Sequence, residues 1–142
     1  MESSLIIGID AGPLVAAFDR NDPHHKWVLD TFKQFAGPFA TSESVLSEAL
    51  HLLDRSNVAT ESLLEMMERR AVYIGIDSKL HMPNLIALIR RYADLPMSLA
   101  DATLVRLAEM HDHATIFTLD HHFRIYRKHG RRQIPLIIPD GL

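Results

Sequence analysis

The chain has 142 residues, 47% hydrophobic and 23% charged, a globular composition long enough to build one cored domain spanning 1–142. It has no cysteine, which excludes a disulfide scaffold, a thiolate zinc site and a cysteine nucleophile. Its formal charge is −3, so bulk attraction to nucleic acid is not indicated, and any such contact falls to local basic patches. No apolar run approaches the roughly 20 residues that cross a bilayer. The start, Met1-Glu2-Ser3-Ser4, lacks the basic segment of a secretion signal. These features give the expectation of a cytoplasmic protein.

The first apolar run, Leu5 to Ile9, stops at Asp10. Such density of branched aliphatic residues predicts a strand buried on both faces, as in parallel sheets. A short helix through Leu14–Phe18 follows, with Pro13 suited to its first turn. Pro23 opens a second helix, whose Trp27, Val28, Phe32 and Phe35 keep helical spacing. Phe39-Ala40-Thr41 is a short strand, and Ser42 or Ser44 caps a third helix running to Leu53. Val58 to Arg70 is a fourth helix and Ala71 to Ile74 a third strand. A fifth helix covers Leu85 to Ala93, and Ser98 to Met110 is a sixth. Thr115 to Leu119 is a fourth strand ending at Asp120, and Tyr126 falls in a basic stretch without a clear pattern. Pro135 to Pro139 is a last strand whose bracketing prolines place it at a sheet edge. Strands alternating with helices predict a parallel α/β sheet covered on both faces.

Four carboxylates stand out by position. Asp10 and Asp120 each close an apolar strand, and in a parallel sheet those strand ends share one edge, where open α/β sheets place their ligands. Either alone is also explained as a turn or cap residue. Asp101 falls inside the apolar band Ala100, Leu104, Val105, Leu107 and Ala108 of the sixth helix. A carboxylate on a buried face is costly unless its charge is compensated. Ser98-Leu99-Ala100-Asp101 also fits a capping box, which accounts for an acid there but not for its facing the core; a metal or a cationic partner is favoured. Glu48 lies at the edge of the third helix's apolar band, beside Leu52, from where its side chain reaches toward the strand ends. A hard divalent cation reconciles all four. Mg²⁺ takes oxygen ligands, and an acid cluster holding Mg²⁺ or Mn²⁺ serves phosphate chemistry.

These pieces, in this order, resemble the PIN-domain ribonucleases, especially the small toxin-type (VapC-like) members. The matching stretches are Ile9 to Val15, Ser44 to Ala49, Leu99 to Val105 and Phe117 to Phe123, and together they span nearly the whole chain. The resemblance implies a three-layer α/β/α sandwich with a short parallel sheet. It implies a Mg²⁺ or Mn²⁺ site made of Asp10, Glu48, Asp101 and Asp120, with Thr118 supporting the attacking water. It implies hydrolysis of RNA to 5′-phosphate and 3′-hydroxyl ends, a homodimer, and a small antitoxin partner. Two positions depart from the family pattern: Ala11-Gly12 offers no side-chain donor after the first acid, and Ser98 stands where many relatives carry a further acid.

The histidine clusters, His24-His25, His111-x-His113 and His121-His122, lack the i, i+4 spacing of a zinc-binding helix, and ordinary surface histidines are the preferred reading. His121 or His122 remains placed to meet substrate phosphate, since both follow Asp120. Arg124, Arg127, Lys128, Arg131 and Arg132 form a basic run after the fourth acid, from which Arg124 and Arg127 are assigned to RNA phosphate. Two other functions compete with the nuclease: a non-catalytic RNA- or protein-binding module of the same fold, and an aspartyl phosphatase. The phosphatase needs an acid two positions after the first, where this chain has Gly12.

Overall fold

The computed structural model describes residues 5–142. Its elements, in chain order, are β1 (Ile6–Ile9), α1 (Ala11–Phe18), α2 (His25–Gln34), β2 (Phe39–Thr41), α3 (Glu43–Leu52), α4 (Asn57–Glu68) and β3 (Val72–Ile74). There follow α5 (Met82–Arg91), α6 (Leu99–Met110), β4 (Ala114–Phe117), a 3₁₀ turn (His121–Arg124), β5 (Arg127–Lys128), β6 (Arg132–Gln133) and β7 (Leu136–Ile137). Five strands form one sheet in the order β3-β2-β1-β4-β7, and every pairing in it is parallel. The proline-bracketed strand is at the edge, as its sequence predicts.

Six helices flank the sheet, giving three layers. On one face, a Cβ on Gly8 would stand 2.7 Å from the side chain of Ile116 on the paired strand β4 and 3.0 Å from that of Leu107 on α6. Glycine leaves room there for both the β4 and the α6 side chains. On the other face, Trp27 and Phe32 of α2 pack on Phe117, with ring centroids 5.8 and 5.4 Å away. No helix among the described residues is long and apolar enough to cross a membrane.

Two differences from expectation are informative. The basic stretch after Asp120 is ordered: the 3₁₀ turn leads into an antiparallel hairpin of β5 and β6. Its anchor is Tyr126, fully buried between Tyr92 and Phe123, with centroids 5.1 and 5.2 Å away. A lone aromatic among arginines carries no periodic signal, so the sequence hid this element. The helix starts also shift: α1 begins at Ala11 because Asp10 itself caps it, and α5 begins at Met82, three residues before its first buried leucine.

Candidate metal centre at the strand ends

Each acid is set by a local device. Asp10 follows β1 directly, and its Oδ1 accepts from the Ala11 N–H at 2.8 Å as the cap of α1. Its Oδ2 accepts from the Thr118 hydroxyl at 2.8 Å, just past the paired end of β4. Thr118 Oγ1 in turn accepts from the Asp120 N–H at 3.0 Å. One buried hydroxyl thus ties the first acid to the backbone of the fourth. Donating its hydrogen bond to Asp10 and accepting one from Asp120, it positions both strand ends.

Asp101 is the third residue of α6 and its capping box is fully made. The Ser98 hydroxyl accepts from the Asp101 N–H at 3.0 Å, and Asp101 Oδ2 accepts from the Ser98 N–H at 3.1 Å. The side chain is nonetheless buried, and the Tyr126 hydroxyl also donates to its Oδ2, at 3.3 Å. The cap and the inward orientation, weighed as alternatives in the sequence, coexist, and Oδ1 carries no hydrogen bond from the described residues. Ser98, the departure from the family pattern, is spent on this cap.

Glu48 projects from α3 and is exposed. The Ser42 hydroxyl, which caps α3 by accepting from Val45 N–H, is also 2.7 Å from the Thr103 hydroxyl of α6. Thr41 of the same strand end donates to the Ile9 carbonyl at 2.9 Å. These buried hydroxyls fix the helix bearing Glu48 against the helix bearing Asp101. Thr41, Thr103 and Tyr126 were not singled out from sequence; a hydroxyl inside an apolar band was the available signal for Thr103. The other departure, Gly12, also has a packing reason: a Cβ there would stand 3.3 Å from the Leu119 side chain.

The four carboxylates are brought within range of mutual repulsion. Burial pushes Asp10 up to about 7, and the charges of Asp101 and Glu48 add to the rise against the lowering by Thr118 and Ala11. Burial likewise raises Glu48, helped by Asp101 and Asp120. Burial raises Asp101 too, with Asp120 adding to it and the Ser98 and Tyr126 hydrogen bonds opposing. The Tyr126 phenol is pushed well above its ordinary range by burial and then by the same acids, so it stays a donor. Among the described residues, no lysine or arginine lies within 4.0 Å of any of these four carboxylates; the nitrogen contact there is a hydrogen bond between His122 Nδ1 and Asp120 Oδ1, at 2.8 Å.

A groove of about 460 Å³ between α3 and the start of α6 leads to Glu48, lined also by Ser44, Ser47, His51, Ser98 and Leu99. The two arginines assigned to RNA are partly occupied. Arg127 donates through one terminal nitrogen to the Arg124, Ile125 and Tyr126 carbonyls, at 2.7, 3.1 and 3.2 Å. The Arg124 Nε donates to the Leu142 carbonyl. Their remaining N–H groups are the part left for a phosphate. Lys128 of the basic run is buried rather than solvated. Beside the fourth acid, His121 and His122 do not diverge as adjacent residues of an α-helix would: the 3₁₀ turn stacks their rings, with centroids 4.4 Å apart.

An open parallel sheet flanked by helices, with Asp10 and Asp120 just past the carboxyl ends of its central strands and Asp101 and Glu48 of the flanking helices within electrostatic reach, defines an α/β/α protein with a candidate acidic metal site. The sequence comparison agrees: the PIN domain family matches residues 7–128, and the chain belongs to that family. PIN domains are in general metal-dependent nucleases acting on RNA or DNA. A search of curated proteins found no match to the chain.

Proposed function

We propose that this protein is a metal-dependent endoribonuclease. The observation carrying this reading is a cluster of four carboxylates, Asp10 and Asp101 buried, Asp120 half-buried and Glu48 exposed at its edge, with no lysine or arginine to neutralise it among the described residues. Charges so placed are unfavourable alone, and a divalent cation resolves the conflict. The donor set fits such an ion. Asp10, Glu48, Asp101 and Asp120 offer hard oxygens, and Oδ1 of Asp101 has no competing donor among the described residues.

Mg²⁺ or Mn²⁺ bound by these acids supplies positive charge to the phosphoryl oxygens and makes water more acidic. The chain's own residues do the rest. Thr118 holds Asp10 Oδ2 and the Asp120 backbone in register. The Ser98 cap and the Tyr126 hydroxyl fix Asp101. The free N–H groups of Arg124 and Arg127 take RNA phosphate beside an acidic rim that would otherwise repel it.

RNA, rather than DNA, and the role of toxin in a toxin–antitoxin pair are supported by the likeness of the four acid motifs to the toxin-type ribonucleases. The same likeness supports a homodimer, a small antitoxin partner, a cytoplasmic location and a single functional unit over 1–142. The test is cleavage of RNA with Mg²⁺ or Mn²⁺, wild type against Asp10→Asn and Asp101→Asn. Loss in both variants supports the reading. Equal cleavage by all three proteins assigns the activity to a contaminant, and metal-independent RNA binding without turnover replaces the enzyme by a binding module.

A further inference from the structure

The rim of the acid cluster carries nitrogen donors as well as oxygens. One carboxylate oxygen of Asp120 and one ring nitrogen each of His121 and His122 all lie within 4.8 Å of one another. Two features of the fold produce this arrangement. The 3₁₀ turn places the two imidazoles side by side, 29° from parallel. Asp120 Oδ1 accepts from both the backbone N–H and the Nδ1 of His122, at 2.9 and 2.8 Å, which fixes that ring against the carboxylate.

From this geometry we infer that Asp120, His121 and His122 form a binding site for a first-row transition ion such as Co²⁺ or Zn²⁺, distinct in ligand type from the all-oxygen set. Hard Mg²⁺ has little use for imidazole, whereas borderline ions favour it. Ligands about 2.1 Å from a tetrahedral ion stand about 3.4 Å apart, so the widest pair of donor atoms closes by no more than about 1.4 Å, while the Asp120–His122 pair, 2.8 Å apart, opens by about 0.6 Å as the ion replaces the proton between them. Three protein ligands leave at least one position open, as in catalytic rather than structural zinc sites. His121 is exposed, which gives the ion an entry path. Arg124, the nearest cation along the chain, directs its Nε to the Leu142 carbonyl rather than to Asp120. The inference shares Asp120 with the nuclease reading but needs no turnover.

The experiment is a titration of tag-free protein with Co²⁺, followed by the visible absorption that nitrogen ligation gives. His121→Ala and His122→Ala are each expected to weaken binding at least about tenfold. His24→Ala/His25→Ala and His111→Ala/His113→Ala, outside this cluster, are expected to leave it within about threefold. His121 is exposed, so its variant folds and keeps the test decisive. Unchanged affinity in both single variants of the pair overturns the inference. So does loss of binding in Asp10→Asn with the histidine variants intact, because the ion then belongs to the four acids. Either result leaves the nuclease reading standing; absence of RNA cleavage by a protein that binds Co²⁺ through the histidines removes that reading instead.

Discussion

The outer edge of the sheet and the carboxyl ends of its central strands both open to space, and they are built in opposite ways. Beside β3, a cleft of about 780 Å³ is lined by Leu46, Leu50, Met67, Val72, Tyr73 and Ile74, with few polar groups. It is the larger hollow, and its charged lining is one residue of each sign, Glu43 and Arg70. The strand-end rim has less room, yet it holds Asp10, pushed up to about 7, beside three more acids. Volume measures where side chains fail to fill space. Uncompensated charge measures where the fold accepts a cost, and that is where chemistry is to be sought.

Exchanging charge at the rim should separate the two regions most sharply. Asp10→Asn is expected to lower metal-dependent cleavage by about 10³, a barrier increase of about 4 kcal/mol, while the protein stays folded. Initial rates and circular dichroism on the same samples check both halves.

The cost at the rim has a pH signature. Asp10 has a higher pKa folded than unfolded, so the folded state binds the extra proton. Its contribution to stability is fully present below pH about 4 and is lost as pH rises through about 7. Across that window the ion-free protein should lose up to about 4 kcal/mol through this group. Asp10→Asn should flatten the slope, and Mg²⁺ should restore stability above pH 7. Denaturant unfolding in chelator, at pH 4 and pH 8, measures it.

The buried hydroxyl bridge comes next. Ser42→Ala removes the cap of α3 and a partner of Thr103, and should cost about 1–3 kcal/mol. Because the bridge joins the helices bearing Glu48 and Asp101, cleavage should fall with it. In the cleft, Met67→Ala should cost about 1–2 kcal/mol in unfolding experiments and leave the rate per folded molecule within about twofold. An equal loss of rate there would erase the contrast between the two regions. The smallest effect is expected from Arg124→Ala/Arg127→Ala. RNA binding should weaken, with its dependence on log salt shallower by about 1–2, because single-strand contacts release roughly one counterion each.

The sheet was legible in the sequence because each strand is a short aliphatic run bounded by turn residues. Ile6 to Ile9 and Ala114 to Phe117 are buried almost throughout, so no alternation was needed to find them. Asp101 was legible as an anomaly, an acid on an apolar face. What sequence alone could not supply were contacts between residues far apart in the chain. The hydroxyl of Thr118 reaches Asp10, 108 positions away, and Ser42 meets Thr103, 61 positions away. The hairpin after Asp120 was hidden for a related reason: Tyr126 is its anchor only because Tyr92 and Phe123 close over it. Likewise the turn type at His121 decided whether two adjacent imidazoles diverge or stack.

The central claim is that four distant carboxylates share a divalent ion, and Mn²⁺ binding followed by electron paramagnetic resonance tests it without RNA. Wild-type protein should bind Mn²⁺ saturably, and Asp10→Asn, Glu48→Gln and Asp101→Asn should each weaken that binding at least about tenfold. Wild-type affinity in all three variants would contradict the account.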